Sequence, residues 1–354
     1  MCDLSQKDKY KGIFTMDKDV ICDYGNLYKA YKKAKSGKKH NSSTAKFEAM
    51  SLEGLHMLKE QLENQTYRMN PYNEFKVYEP KERVIKSCSF KDKVVQHCLC
   101  DNILLPRLKY EFIKTNYAGQ LGKGTHFGMD CLKEHMLEFY KEHGLDGWIL
   151  KCDVTKFFYQ IDHEVLKDIV DYYFDDEYTK WLNHLYIDST DGLGLPLGNQ
   201  VAQVYALLML NGLDHFITGE LGIELYGRYM DDFYLIAPSK EYLKHCLDCI
   251  NQFVASLGLS LNGKTQIVPF KNGILFTGFH HYVRKEFFMK AKCEIYLDKM
   301  PSNCQECRAW YVAPCSLDFK CKLMELKQIK CADVSFEFRN GKRHEKCPLE
   351  KIEA

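Results

Sequence analysis

Apolar positions along the chain switch between helical and strand-like spacing. Residues Ser43 to Gln65 carry an apolar stripe of helical period, which predicts an amphipathic helix. The stripe consists of Phe47, Met50, Leu55, Leu58 and Leu62. Farther along, residues 74–85 have the pattern of a β-hairpin and residues 91–114 that of helices.

The middle of the chain predicts a mixed sheet. From Trp148 to Pro269 the pattern is strand, helix, hairpin, helix and strand, with the second helix at Leu243 to Leu257. That order is typical of a split βαβ arrangement. We therefore expect an α+β fold.

Two adjacent carboxylates, Asp231 and Asp232, stand between short hydrophobic runs. The flanking residues favour β-structure, so the pattern predicts a hairpin with the acids at its tip. Like charges this close raise each other's pKa unless a cation lies between them. Oxygen-only ligands favour Mg²⁺ or Mn²⁺ over zinc. A solvated turn is the alternative interpretation of such a pair.

A third acid ends another predicted strand, since Asp153 follows the apolar run Gly147–Cys152. Carboxylates from separate strands are what a two-metal phosphoryl-transfer site requires, with two ions about 3.5–4 Å apart. Between the acids, the loop Gly192–Gln200 precedes an apolar, helix-compatible run from Val201 to Phe216. Its Gly and Pro residues would let backbone approach a ligand closely.

Short segments in a fixed order give the chain a family resemblance between about Phe75 and His281. They are Tyr78–Ile85 with Phe90–His97, Asn116–His126, Asp153–Phe158, Gly194–Ala206, Tyr229–Asp232, Leu259–Thr265 and Ile274–His280. The segments before Asp153 resemble fingers motifs. The five segments from Asp153–Phe158 onward resemble, in order, motifs A, B, C, D and the primer-grip motif E. The set resembles the reverse transcriptases of bacterial retroelements, which are relatives of group II intron and retron enzymes.

The resemblance implies a right-hand polymerase with fingers, a ferredoxin-like palm and a short thumb. An N-terminal helical and basic extension would occupy residues 1–72, and fingers residues 73–146. The palm with motifs A to E would occupy residues 147–285. A short thumb with a Cys- and Lys-rich C-terminal region would occupy residues 286–354.

The resemblance also implies catalytic roles for the acids. Asp153 and Asp231 are expected to hold two Mg²⁺ ions, with Mn²⁺ as an alternative. Asp232 would complete the charge as a looser ligand, and the backbone carbonyl of Val154 would add another. Lys264 matches a lysine that protonates or neutralises departing pyrophosphate, with a plain surface lysine as the alternative.

Further positions match the nucleotide pocket. Lys81 and Arg83 are expected to meet the incoming triphosphate, unless they belong to a solvated strand. Phe158 matches a steric gate whose ring would clash with a 2′-hydroxyl, with a core aromatic as the alternative. The remaining matches are the nucleotide-binding residues Leu197, Gly198 and Gln203 and the primer-grip residues Phe276, Gly278 and Phe279.

Motif B departs from commoner relatives. Many reverse transcriptases have Gln where this chain has Leu197, and the stretch Leu197–Gln203 is similar to the variant of diversity-generating retroelements. Those enzymes misincorporate opposite template adenine, and they usually have Ser where this chain has Ala202. We expect a diversity-generating retroelement enzyme. A phage-defence reverse transcriptase that works with a non-coding RNA is the alternative.

Composition agrees with a polymerase without requiring one. The 354 residues have a formal net charge of +1, which is low for a protein that holds an RNA template and a DNA primer. Basic residues concentrate between Tyr28 and His40, where they form either an RNA-gripping helix or a solvated one. An accessory protein or a structured RNA is therefore expected to supplement binding of the nucleic acids and dNTPs.

No run of about 18 apolar residues occurs, and the first eight residues lack the apolar core of a signal peptide. We expect a cytoplasmic protein without a membrane span. Most of the 16 cysteines are expected to be buried thiols. Zinc is not expected, because the spacing of Cys304, Cys307, Cys315 and Cys321 departs from a zinc knuckle.

The sequence thus predicts an enzyme that extends a 3′-OH primer with deoxynucleotides on an RNA template and releases pyrophosphate. A catalytically inactive, polymerase-like RNA-binding protein is the alternative of another class, and the presence of all three acids argues against it. Viral RNA-copying polymerases share the palm, but Tyr229–Asp232 and Phe158 favour DNA synthesis.

Overall fold

Two compact units make up the chain. The computed structural model describes residues 16–36, 42–78, 82–190, 192–283, 293–296, 310–312 and 319–321. The first unit spans Met1–Thr277 and Tyr282–Cys293, and the second spans Gly278–His281 and Glu294–Ala354. The four regions expected from the sequence, with boundaries after residues 72, 146 and 285, stay predictions.

Thirteen α-helices occur in the described ranges of the first unit. They are α1 (Asp17–Cys22), α2 (Tyr24–Lys35), α3 (Ser42–Ala49), α4 (Ser51–Glu63), α5 (Phe90–Leu99), α6 (Leu105–Leu108), α7 (Thr125–His143), α8 (Phe157–Gln160), α9 (His163–Tyr173), α10 (Glu177–Ile187), α11 (Gln200–Met209), α12 (Asn211–His215) and α13 (Lys240–Ser256). Polar N-cap side chains start several of them. Asp162, Asp176 and Ser239, for example, accept backbone N–H bonds of α9, α10 and α13.

Eleven strands occur among the described residues. They are β1 (Asn73–Val77), β2 (Arg83–Ser87), β3 (Trp148–Asp153), β4 (Tyr226–Tyr229), β5 (Asp232–Ala237), β6 (Gln266–Pro269), β7 (Ile274–Phe276), β8 (Phe279–Val283), β9 (Cys293–Tyr296), β10 (Trp310–Val312) and β11 (Phe319–Cys321). In the second unit, β10 and β11 pair as an antiparallel ladder.

An antiparallel sheet of order β4-β5-β3-β6 is the centre of the first unit. Alternate residues of β3 face opposite sides of it, as strand geometry requires. Leu150 and Cys152 belong to the large core that includes the helices, whereas Ile149 packs in a smaller cluster with Tyr234 and Phe139. Both faces are therefore covered. The predicted order of strand, helix, hairpin, helix and strand is confirmed, and so is the α+β fold.

The predicted single helix over residues 43–65 is wrong in detail, because Met50 interrupts it and separates α3 from α4. Met50 is 58% exposed, so it does not belong to the apolar stripe, whereas Leu55, Leu58 and Leu62 are buried. The Phe47 ring lies where a side chain at Gly54 would be, 3.2 Å from an ideal Cβ position. The side chain missing at Gly54 thus leaves room for α3 to pack back on α4.

Other predicted elements differ mainly in their ends. The hairpin expected at 74–85 is confirmed as β1 paired with β2, which extends to Ser87. The helices expected over 91–114 end at Leu108, after a π-helical turn at Cys100–Leu104. Among the described residues, no helix is both long and apolar enough to span a membrane.

Candidate active site

The three acids singled out in the sequence meet at one end of the central sheet. Asp153 is the last residue of β3 and pairs in register with Asp232, the first residue of β5. Asp231 lies between the hairpin strands β4 and β5, and the Val154 N–H donates to its carbonyl oxygen at 3.2 Å. Pairing of the strands therefore brings the motif A and motif C segments together.

Burial and mutual repulsion govern the charge of Asp231. Its pKa is raised, first by burial and then by the nearby Asp153 carboxylate. Lys151 and Arg83 act in the opposite direction, together with a backbone hydrogen bond. Such a site favours a cation, because each added positive charge relieves the repulsion between the carboxylates.

Lys151 is a cation inside this site that the sequence did not indicate. It lies on β3 two residues before Asp153 and forms an ion pair with Asp232. Burial lowers the pKa of Lys151 to about 8, although Asp153 and Asp231 raise it. Asp232 thus has an ion-pair partner within the site, whereas Asp153 and Asp231 act on Lys151 through their charge alone.

Asn262 fixes the other side of Asp153. Its side-chain amide donates to Asp153 Oδ2 at 3.1 Å, and its backbone N–H donates to Asp153 O at 2.7 Å. Asn262 is neutral, so it orients the carboxylate without neutralising it. Lys264 follows in an exposed turn, and its backbone N–H donates to Asn262 Oδ1 at 3.0 Å.

Met230 gives the hairpin tip a strained backbone. Its φ of 58° lies in the left-handed region, which costs an L-residue roughly 1–2 kcal/mol. Arg228 donates from Nη1 to the Met230 carbonyl at 2.8 Å. A hydrogen bond to a charged group contributes about 1.5–3 kcal/mol, so this contact is large enough to offset the strain.

A buried ion pair holds Arg228 itself. Both Arg228 and Asp214 are 0% exposed, with Nε to Oδ1 and Nη2 to Oδ2 each at 2.6 Å. The Tyr226 hydroxyl donates to Asp214 Oδ1 at 2.6 Å. Removing one partner of such a pair typically costs about 3–5 kcal/mol, because the other charge stays buried. A charged residue within each of two apolar runs was the available signal for this pair.

The glycine-rich loop before α11 contacts the segment after Asp153. Leu195 N–H donates to Phe158 O at 2.6 Å, and Gly194 N–H donates to Ile161 O at 2.8 Å. Gly194 has φ +94°, and a Cβ there would approach Phe158 O and the Tyr159 backbone at 2.9 Å. Glycine is therefore required by conformation and by space, and the loop sets the backbone of half-buried Phe158.

The same loop is attached to the β1–β2 hairpin. Lys86 N–H donates to Leu197 O at 3.0 Å, and a Cβ at Gly198 would meet the Ile85 side chain at 2.9 Å. Gln203 is exposed on the first turn of α11. Arg83, at the start of β2, is exposed and close enough to the acids to lower the pKa of Asp231. Lys81 lies outside the described residues.

Comparison of the sequence with known protein families gives a match that covers this site. Residues 76–281 match the reverse transcriptases (RNA-dependent DNA polymerases). The chain belongs to the reverse transcriptase family. The matched region includes all three acids, the motif B loop and the β1–β2 hairpin from Lys76, the fourth residue of β1, onward.

Solved structures similar to this reverse transcriptase include telomerases from two Candida species. Telomerase from Candida albicans, in complex with a TWJ fragment of telomeric RNA, is 14% identical, with 60% of this chain and 44% of that chain covered and a TM-score of 0.46. Apo telomerase from Candida tropicalis, truncated from its C-terminal domain, is 13% identical, with 65% and 58% covered and a TM-score of 0.45. The chain thus spans about half the length of these telomerases. No curated protein sequence matches it.

The oxygen donors of the site resemble an Mg²⁺ site that substrate completes, rather than a metal site made of protein ligands alone. In the part of the chain that the structure describes, no group of three His, Cys, Asp or Glu side chains is arranged to hold a metal ion. Asp153 and Asp231 supply oxygen donors, while Asp232 pairs with Lys151. Mg²⁺ is usually bound by one or two carboxylates together with substrate phosphates, so this set fits it.

The primer-grip segment divides between core and second unit. Phe276 is fully buried and packs edge-on against Tyr234 at 5.1 Å between ring centroids. Its ring therefore supports the sheet, and the primer-grip role of this residue stays a prediction. Gly278 and Phe279 begin the second unit. The Cys304, Cys307 and Cys315 part of the cysteine cluster lies outside the described residues.

Part of the basic segment expected to grip RNA is already neutralised. Lys33 pairs with Asp101 at 2.7 Å, and Lys35 pairs with Glu48. Lys32 lies over the Tyr28 ring at 4.7 Å and keeps its charge without an acidic partner in that contact. The net positive charge that α2 presents is thus smaller than its sequence indicates.

Two glycines of one loop separate conformational strain from steric clash. Gly192 (φ +76°) has nothing within 4 Å of an ideal Cβ, whereas Gly194 (φ +94°) has three backbone atoms at 2.9 Å. We expect Gly192→Ala to cost about 1–2 kcal/mol from strain alone. Gly194→Ala should cost about 1–3 kcal/mol more, because the Phe158 backbone must shift. Urea unfolding of both variants measures the difference, and equal losses would contradict the described packing.

Proposed function

We propose that this reverse transcriptase is an active RNA-directed DNA polymerase that extends a primer with deoxynucleotides on an RNA template. The observation that supports it most is the placement of Asp153 beside the Asp231–Asp232 hairpin on paired strands, in a chain of this family. The raised pKa of Asp231 adds to this, since it indicates a site suited to added positive charge.

Asp153, Asp231 and the Val154 carbonyl would hold the ions, and Asp232 would join them on release from Lys151. Two bound Mg²⁺ or Mn²⁺ ions supply activation of the attacking 3′-oxygen and neutralisation of the leaving oxygen. Asn262 keeps the Asp153 carboxylate oriented through its 3.1 Å hydrogen bond. Lys264 would neutralise pyrophosphate from its exposed turn.

The nucleotide would lie between the β1–β2 hairpin and the motif B loop. Arg83 and Lys81 would bind its phosphates, and Phe158 would lie under its sugar. Leu197, Gly198 and Gln203 would line the base pair, with RNA template and DNA primer as the partners. The hydrogen bond from Lys86 N–H to Leu197 O supports a fixed distance between these two walls.

Loss of one acid tests the catalytic proposal. Asp231→Asn keeps the shape of the side chain but removes its charge. We expect at least about a 1000-fold lower rate of dTTP incorporation on poly(rA)/oligo(dT) with Mg²⁺, because several kcal/mol of charge stabilisation is lost. Asp146→Asn, an exposed acid at the opposite end of β3, is the matched control and should keep the wild-type rate.

The same assay decides against an inactive RNA-binding protein. If the wild-type protein binds RNA without any incorporation, polymerase activity is refuted and the binding protein is supported. If Asp231→Asn retains the wild-type rate, the assignment of the acids is wrong. A filter-binding measurement with the same template keeps the two outcomes separate.

The Phe158 ring is proposed to select deoxynucleotides. Phe158→Ala should raise the use of ribonucleotides relative to deoxynucleotides by about 10- to 200-fold, since a pocket wall near the 2′-hydroxyl is removed. Tyr159→Ala is the control, because Tyr159 is the neighbouring aromatic and is 50% exposed. The kcat/KM values for UTP and dTTP measure the ratio. An unchanged ratio in Phe158→Ala would assign its ring to the core.

We further propose that the enzyme belongs to a bacterial diversity-generating retroelement, on the strength of Leu197 in motif B. A phage-defence enzyme that works with a non-coding RNA is the second candidate. The two differ in their genomic neighbourhood. Near-identical repeats that differ at adenines would support the first, and a lone gene beside a non-coding RNA would support the second.

Leu197 provides a biochemical test of that role. Leu197→Gln restores the polar side chain that many relatives have and should lower misincorporation opposite template adenine. Leu193→Gln is the matched control, because Leu193 lies in the same loop and is 60% exposed. Sequencing of cDNA from the three proteins measures the errors. Identical error spectra for wild type and Leu197→Gln would remove the link to Leu197.

A further inference from the structure

We propose that Arg228, held by Asp214, is a positioning residue that fixes the peptide group before Asp231 and so orients the Asp231 carboxylate. The proposal rests on the polymerase function of the site. The Arg228 side chain bonds Asp214 and the Met230 carbonyl, so its effect on Asp231 would pass through the backbone of Met230.

The use of the three guanidinium nitrogens indicates this role. Nε and Nη2 are sufficient for the bidentate bond to Asp214. The third nitrogen, Nη1, donates to Met230 O at 2.8 Å. A purely structural ion pair needs no such contact with a turn. The planar fork of arginine can serve both partners at once, which a lysine ammonium is poorly shaped to do.

Both peptide groups that flank the Asp231 Cα are held in this way. The Met230–Asp231 peptide is held at its oxygen by Arg228, and the Asp231–Asp232 peptide is held at its oxygen by the Val154 N–H. With two successive peptide planes fixed, the direction of the Asp231 Cα–Cβ bond is fixed as well. The left-handed φ of Met230 makes the first contact necessary, since the turn would otherwise relax.

Arg228 is in turn anchored to several elements. Its backbone N–H donates to Thr115 O at 3.0 Å, and its backbone carbonyl accepts from Tyr117 N–H at 2.8 Å. Nη2 also donates to Leu207 O at 3.3 Å, at the end of α11. Asp214 lies on α12. The hairpin tip is thus tied to the fingers segment and to the helices behind the sheet.

The expected consequence is a loss of turnover rather than of substrate binding. A displacement of about 1 Å at reacting groups can lower a rate on the order of 100-fold. Arg228→Lys should therefore lower kcat about 100-fold, while the KM for dTTP and the affinity for primer–template stay within about twofold. It should also weaken Mn²⁺ binding to the protein without nucleic acid, measured by electron paramagnetic resonance.

A double variant separates positioning from folding. Arg228→Met with Asp214→Leu replaces the buried pair by apolar groups of similar volume, which often preserves stability. We expect a melting temperature near that of wild type and the same loss of kcat. Tyr226→Phe is the control, because it removes one hydrogen bond to Asp214 and leaves the contact with Met230 in place. It should keep the wild-type kcat.

Each outcome either supports or overturns the positioning role of Arg228. Wild-type kcat and Mn²⁺ affinity in a folded double variant would overturn the proposal, and so would equal losses in Tyr226→Phe. Failure of both Arg228 variants to fold would assign the pair to the fold alone and overturn the positioning role. If wild type and Tyr226→Phe lack incorporation altogether, the polymerase function fails instead, and Mn²⁺ binding still tests the positioning of Asp231.

Discussion

The proximity of two carboxylates at the end of a buried sheet is the constraint on which the rest of this structure depends. Two unit charges about 4 Å apart repel by roughly 4 kcal/mol at an effective dielectric constant of about 20. Burial adds to that cost and raises the pKa of Asp231. A fold that keeps Asp153 and Asp231 together must therefore supply rigid strands, oriented neutral donors and nearby cations. Each of these is present in the first unit.

Backbone hydrogen bonds connect the segments that carry the site. Asp153 O accepts from Asn262 N–H, Asp231 O accepts from Val154 N–H, and Phe158 O accepts from Leu195 N–H. These bonds connect motifs A, B, C and D directly. The left-handed residues of the site, Met230 and Lys156, lie at the points where the chain must turn between those bonds. Strain at such positions persists only where the surroundings determine the conformation.

The sequence alone predicted the elements that local pattern controls and missed the pairs that only the fold creates. Alternation and turn residues sufficed for the order of strands and helices and for the hairpin, whereas the meeting of Asp153 with the Asp231–Asp232 pair was expected from metal chemistry and the family resemblance. Arg228 and Asp214, 14 residues apart, could not be paired in advance, since their apolar surroundings show that each needs a partner but not which one. The partner of Lys151 depends on strand register, and Asn262 reaches Asp153 across 109 residues. The burial of Phe276 likewise follows from packing between distant segments.

The charges around the site explain why the Lys151–Asp232 pair and the Arg228–Asp214 pair have different effects on it. The three carboxylates outnumber the two cations that act on them, Lys151 and Arg83. A nucleoside triphosphate is an anion, and these carboxylates would repel it unless further positive charge binds with it. Arg228 adds none, because Asp214 neutralises it at 2.6 Å within the core. A neutral buried pair can therefore hold the turn of Met230 in place without lowering the demand for cations beside Asp231. Had an unpaired arginine held the turn, its charge would have weakened the electrostatic reason for metal binding at these acids.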